Sequence, residues 1–456
     1  MSFWPAALFA LTSGCTGSAD DEPPTEPSTT DSDAVQVPLE PFLQTVTGEP
    51  PTNLLMVSID TLRRDRVGFL GGTTTTPYLD ELAAEGVVLA NHRTCANWTT
   101  PAMACAQAGR TTLQIGFHPP TGDLTEFYDQ SYPTLEHVFA AQGYRTALTS
   151  ANYFFSENNG LATGFEQVVT LPYETAPGTL SVGLDNLRVL VPSGEPFYQH
   201  VHLVDPHSPY TASEEWYGDT AGLPELQQDL STEAGVNTAL RAYEMLDEGE
   251  REDLVAWFDL AYQADIRAMD QELREFLVAA RDIGALENTL VVFWSDHGEQ
   301  LWEDEVYGHG RMLHDEETDG LALFWMADQG LVPGVWTGPT SGLDLPPTLM
   351  TLMELPVSED YMGSAVGLAP EDRRRMGIHL QEVEAQLSLE KEEWKLIYHW
   401  HGEVELFDRS IDPSEEEDLA AQEPEVAQEL YTLLRPRILE LAELRPDLPA
   451  PGNPGL

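Results

Sequence analysis

Three short apolar runs in this chain of 456 residues end in side chains that can hold a metal ion or move a proton. The run Asn53 to Ile59 ends in Asp60, the run Phe197 to Val204 in Asp205-Pro206-His207, and the run Thr289 to Trp294 in Ser295-Asp296-His297-Gly298. Hard carboxylate oxygens with an imidazole suit Ca²⁺, Mg²⁺, Mn²⁺ or Zn²⁺, and such an ion lowers the pKa of a bound hydroxyl and steadies charge on a reacting ester. Taken singly, each donor has a structural reading, because Asp after a strand often caps the next helix. Repetition at three run ends favours a shared metal site.

The elements that would position these donors follow from the same pattern. Apolar runs alternate with amphipathic helices, the signature of a parallel α/β sheet. Helices are expected at Pro77 to Glu85, with Pro in the first turn and Gly86 as stop, at Pro133 to Gln142, and at Glu248 to Ile283. Tyr144 to Ser150 and Leu321 to Met326 add two strands. Ligands of open α/β sheets bind along the carboxyl edge of the strands, where donors far apart in sequence can meet.

Composition sets the surroundings. With 22 Lys+Arg against 77 Asp+Glu the formal net charge is −55, which excludes a nucleic-acid binder that relies on phosphate neutralisation. An anionic substrate is repelled by that field unless a metal, Arg or His concentrates positive charge locally. Cys15 follows an apolar stretch, Phe3 to Leu11, and precedes an acidic Pro/Ser/Thr-rich run, which resembles a bacterial lipoprotein export signal. The expectation is a signal at 1–15, a flexible tether at 16–51, and an exported protein held in a bacterial cell envelope by lipid on Cys15. The alternative is a plain apolar N-terminus. Cys95 and Cys105 either pair or stay as buried free thiols. No later apolar run reaches the ~20 residues that span a bilayer.

Asp60-Thr-Leu-Arg-Arg-Asp-Arg-Val-Gly68, Thr76-Pro-Tyr-Leu-Asp-Glu-Leu-Ala-Ala-Glu-Gly86, His202-Leu-Val-Asp-Pro-His207, Ser295-Asp-His-Gly-Glu299 and Gly308-His-Gly310 together resemble the sulfatase family of the alkaline phosphatase superfamily. The likeness continues through Trp394-Lys-Leu-Ile-Tyr398 and covers about residues 51 to 440. It implies an alkaline-phosphatase-like three-layer αβα sandwich with a mostly parallel central sheet over 52–370, and a small C-terminal α+β subdomain over 371–445. It also implies one divalent ion held by Asp60, Asp296 and His297, with the nucleophile as a further ligand. Family members usually carry a second acid beside the first; Thr61 stands there instead, which moves the balance from Ca²⁺ towards Mn²⁺ or Zn²⁺.

The family's nucleophile is a Cys or Ser with Pro two residues on and Arg four residues on, and it is oxidised to formylglycine. Alignment on Pro101 puts Thr99 at that position and Met103 in place of the Arg. A secondary alcohol cannot become an aldehyde, so no formylglycine is expected. Thr99 then resembles the threonine nucleophile of the superfamily's phosphodiesterase and phosphoethanolamine-transferase relatives. Pro101 makes Thr100 the expected N-cap, with Thr99 one residue outside the helix. His207 and His309 are implied as leaving-group acid and substrate hydrogen-bond partner. Arg63 and Asn152 are the substrate-binding candidates, Asn152 standing where the family's Gly-Lys-x-His element is missing. Arg63 has an equal reading as a surface ion pair, His202 reads as buried packing, and His314 as a pocket-rim residue. The implied function is an exported, metal-dependent hydrolase of sulfate or phosphate/phosphonate esters acting on an anionic substrate. The alternatives are a phosphoryl-group transferase and a binding protein that kept the fold without turnover.

Overall fold

The computed structural model describes residues 46–72, 76–116, 132–156, 160–328, 330–368, 373–380 and 384–456. The expected signal with Cys15, most of the expected tether and the expected boundary at 370/371 lie outside these residues. Strand β1 (Asn53–Ile59) leads to helix α1 (Pro77–Glu85), strand β2 (Val87–Arg93) and helix α2 (Thr99–Ala108). Helix α3 (Leu135–Ala141), strands β3 (Arg145–Ser150) and β4 (Gln167–Thr170), helix α4 (Ala176–Leu190) and strand β5 (Phe197–Leu203) follow. Helices α5 (Glu233–Tyr243) and α6 (Glu248–Asp282) precede β6 (Thr289–Ser295), the two-residue strands β7 (Gln300–Leu301) and β8 (Tyr307–Gly308), and the short helix α7 (Asp315–Thr318). Strands β9 (Asp319–Trp325), β10 (Gly334–Trp336) and β11 (Thr340–Ser341) and helix α8 (Leu345–Leu352) complete the first part of the chain.

The central sheet runs β10-β2-β9-β6-β1-β5-β3-β4, with β11 also paired to β2. Every pairing is parallel except those of β9, which is antiparallel to both β2 and β6. Alternation along β1 explains the layering. Leu54 and Met56 enter one apolar cluster with α2 and α8 residues, whereas Leu55, Val57 and Ile59 enter another with Leu254, Phe258 and Tyr262 of α6. A strand buried on both faces reads as a near-continuous apolar run, which is why β1 and β6 are visible in the sequence; β5 mixes in Gln199, His200 and His202 and is marked by the Asp205-Pro206-His207 that follows it. Helix α6 starts at a capping box, Asp247 accepting from Glu250 N while the Glu250 carboxylate takes Asp247 N. Asp270 of α6 accepts from the first-turn N–H groups of Tyr78 and Leu79, both at 2.9 Å, and so docks α1 on α6.

A second, antiparallel sheet, β12 (Arg374–Leu380), β13 (Ala385–Lys391), β14 (Trp394–His399) and β15 (Val404–Asp408), carries helix α9 (Pro424–Leu444). Leu430, Leu434 and Ile438 of α9 share their apolar cluster with Leu387 and Leu396 of this sheet and with Leu54 of β1. The last stretch of the expected tether is docked: Val46 bridges Leu331, and Thr47 N donates to Gly330 O at 2.8 Å, because Val46 packs on the same apolar cluster. Strand β2 and helix α4 were not foreseen, since β2 mixes polar residues into its run and α4 contains Pro177, Gly178 and Gly183.

Candidate active site

Strand β1 lies between β5 and β6 with Ile59 level with Leu203 on one side and Ser295 on the other. The residues after each strand therefore leave the sheet at one edge and at one height, and Asp60, Asp296 and His297 meet there, all fully buried. His297 Nε2 lies 3.2 Å from Asp60 Oδ1 and 3.6 Å from Asp296 Oδ2. One donor atom from each of the three falls within 4.8 Å of the others.

Thr99 reaches this cluster from the start of α2. Its Oγ1 is 3.5 Å from Asp60 Oδ2, 3.3 Å from His297 Nε2 and 3.4 Å from Asn152 Nδ2. The expected cap is corrected: Trp98 is the N-cap and Thr99 the first helical residue. Pro101 tolerates this because first-turn N–H groups have no intrahelical acceptor, so its missing donor is not needed. The early N–H groups of α2 face the same edge, a setting that favours an anion. Asn152, just past β3, donates from Nδ2 to Asp60 Oδ2 at 3.0 Å, and its Oδ1 accepts from Phe154 N at 3.0 Å, which fixes the amide with its NH₂ towards the site.

The donor set fits a divalent cation. His297 Nδ1 donates to Gly298 O at 2.9 Å, so the Nε2 lone pair is the one directed at the carboxylates and Thr99. Asp60 Oδ1 and Asp296 Oδ2 are sealed from water with no hydrogen-bond partner. Burial by itself raises Asp60, yet the adjacent imidazoles of His202 and His297 hold it well below the usual carboxylate range; burial pushes Asp296 up to about 6. Burial alone would lower His297, but Asp296 and Asp60 push it up to about 10. The field that raises this imidazole is also the field that attracts a metal ion. No lysine competes for it: Lys391 pairs with Glu429, and Lys395 is buried between Asp315 and Glu415. Thr61, beside Asp60, is buried with its Oγ1 unpartnered, so it adds no carboxylate ligand.

Two more histidines sit over this cluster. The His309 ring lies 4.5 Å from that of His297 and 5.0 Å from that of His207, centroid to centroid. His309 Nδ1 meets Glu299 Oε1 at 3.0 Å, and His207 Nδ1 donates to Ser208 O, which turns the Nε2 of each ring to other partners. Burial alone would raise Glu299, but His309 holds it below the usual range, so it stays an anion that orients His309. Glu317 pins the loop after His309 by accepting from Arg311 N and Met312 N, both at 3.1 Å, and from Asn97 Nδ2 at 2.9 Å.

Several residues read differently from their sequence context. Arg63 is not offered to a substrate. Its guanidinium is 5% exposed and is held by both oxygens of Asp65, by Glu303 and by Glu299 O, an ion pair whose arginine is buried while the Asp65 side chain reaches the surface. His202, expected as packing, approaches Asp60 Oδ2 to 3.4 Å through Nε2 while Nδ1 meets Ser58 Oγ at 2.8 Å. The parallel register of β1 with β5 pairs Ser58 with His202, and that was the signal for it. His314 is not on a pocket rim but buried against Asp304 and Glu405. Cys95 and Cys105 form a disulfide that brackets Thr99.

Comparison with known proteins shows the family and the fold. A family model described as Sulfatase matches residues 52–355. The choline-sulfatase of Rhizobium meliloti (strain 1021) is 25% identical over 442 residues, which covers 82% of this chain and 83% of that protein. A solved 2-O GAG sulfatase superposes with a TM-score of 0.69 at 19% identity, over 89% of this chain and 96% of its own. The phosphonate monoester hydrolase of Agrobacterium radiobacter superposes with a TM-score of 0.63 at 17% identity, over 87% of this chain and 96% of its own.

Proposed function

Because the chain belongs to the sulfatase family of ester hydrolases, we propose that it is a metal-dependent member that attacks sulfate or phosphorus esters with the Thr99 hydroxyl in place of a formylglycine. The observation that carries this reading is the position of Thr99 Oγ1, within 3.5 Å of Asp60, His297 and Asn152 at the start of a buried helix. Asp60, Asp296, His297 and Thr99 would hold a divalent ion, which would lower the hydroxyl pKa and stabilise charge on the ester oxygens. Thr99 Oγ1 gives up its proton to solvent and forms a bond to sulfur or phosphorus as the bond to the leaving alcohol breaks. His309, oriented by Glu299, and His207 stand on the open side of the site to protonate that alcohol. Asn152 and the first N–H groups of α2 bind the non-bridging oxygens. Water then attacks the threonine ester, and the oxygen of Thr99 takes back a proton.

A formylglycine hydrate can expel sulfate by collapsing to the aldehyde, an exit that a threonine ester lacks. Water can cleave a threonine phospho- or phosphonoester at phosphorus, so phosphorus esters are the preferred substrates in this reading. Export with a lipid anchor on Cys15 belongs to the same proposal, and the Cys95–Cys105 disulfide supports it, since such bonds persist in oxidising compartments. The test is a panel of nitrophenyl sulfate, phosphate, phosphodiester and phosphonate substrates with the wild type and Thr99→Ala. The expected result is turnover that falls roughly a thousandfold or more in the variant. Equal rates in both proteins would remove Thr99 from the mechanism.

A further inference from the structure

A second group of metal-ligating side chains gathers away from Thr99, where the β7–β8 hairpin meets the C-terminal sheet. Asp304, His314 and Glu316 each place one donor atom within 4.8 Å of the others. His314 Nδ1 lies 3.0 Å from Asp304 Oδ2. Its Nε2 lies 3.4 Å from Glu405 Oε2 on β15, and Glu405 is itself held by His399 Nε2 at 2.8 Å. A proton on Nε2 directed to Glu405 leaves the Nδ1 lone pair turned towards Asp304, and a carboxylate behind an imidazole is the usual support of a metal-binding histidine.

Two buried oxygens at the same place are unanswered. Gln300 is fully buried and plants its amide in the cluster, Nε2 donating to Asp304 Oδ2 at 2.9 Å, yet its Oε1 has no donor. Glu316 Oε2 is also sealed from water without a partner. Unmet buried acceptors of this kind cost free energy unless a cation or donor answers them. The 3.0 Å between His314 Nδ1 and Asp304 Oδ2 is also the spacing of two ligands about 90° apart at about 2.1 Å from one ion.

We propose that Asp304, His314, Glu316 and the Gln300 carbonyl bind a second divalent cation that cross-links the segment carrying His309, which His314 in turn joins to Glu405 of the C-terminal sheet. Imidazole, carboxylate and amide oxygens together suit Mn²⁺ or Zn²⁺. The probe is Mn²⁺ added to the metal-stripped full chain, with bound equivalents counted by the electron paramagnetic resonance of the free ion. Wild type binds two equivalents; Asp296→Asn binds one, and Glu316→Gln binds one. In Asp296→Asn, Mn²⁺ still raises the melting temperature, and adding Glu316→Gln abolishes that rise. Glu316 makes no hydrogen bond through Oε2, so its amide variant folds even if His314→Gln does not. One equivalent in wild type, unchanged in Glu316→Gln, overturns the proposal and leaves His314 as an imidazolium between Asp304 and Glu405. Two equivalents in Glu316→Gln overturn it as well. One equivalent in wild type that Asp296→Asn keeps and Glu316→Gln loses supports this site and sinks the catalytic one.

Discussion

Glu136 of α3 is completely buried, and neither of its carboxylate oxygens has a hydrogen-bond partner. Burial pushes its pKa from 4.5 up to about 8. An unfolded glutamate gives up its proton near the lower value and the folded one near the upper, so between them the native state holds more protons. Stability therefore falls as pH rises through that window and levels off above it. The displacement from 4.5 to about 8 corresponds to about 5 kcal/mol, about 4 of it between pH 5 and pH 9. Glu136→Gln keeps the shape and removes the ionisation. Urea unfolding followed by tryptophan fluorescence at both pH values gives the comparison. Wild type should lose about 4 kcal/mol more than the variant on going from pH 5 to pH 9, because every other titrating group is shared. Parallel losses in the two proteins would refute the burial argument. The effect reaches the site, since α3 feeds β3 and β3 ends next to Asn152.

Other expectations are simpler to check. Asn152→Ala removes a donor to Asp60 and Thr99 and should lower kcat/KM by ~1.5–3 kcal/mol, roughly tenfold to a hundredfold, in steady-state assays. Chelation should abolish turnover and added Mn²⁺ or Zn²⁺ should restore it; full activity after exhaustive chelation would contradict the role given to Asp60, Asp296 and His297. Arg63→Ala should cost roughly 1–3 kcal/mol of stability in denaturant unfolding with KM unchanged, whereas a raised KM at unchanged stability would return Arg63 to the substrate.

Much of the architecture was legible because β1, β5 and β6 are buried on both faces and end in Asp60, Asp205 and Asp296, each a departure from an apolar run. That Asp60 and Asp296 meet depended on parallel pairing, which short strands separated by helices require; Asp205, past the end of β5, is not part of their cluster. What stayed hidden is non-local. Arg63 could be assigned only once Glu303, 240 residues away, was known to answer its charge. His202 sits inside a strand whose alternation says only that it is buried; its approach to Asp60 comes from register across two strands. Glu405, which backs His314, lies 91 residues beyond it on a different sheet.

The antiparallel insertion of β9 beside β6 makes the chain between them a closed excursion. It leaves at Ser295 and returns at Asp319, and Leu321 N donates to Ser295 Oγ at 3.1 Å, so both feet are tied to the same spot on the sheet. Asp296, His297, Glu299, His309 and His314 all ride on that single stretch. Insertions and deletions there can accumulate without shifting the strands below, because the anchorage does not depend on the length of the arch. Side chains along the arch can therefore be exchanged while Asp60 and Thr99, at the end of β1 and the start of α2, stay on parts of the framework that do not move with it.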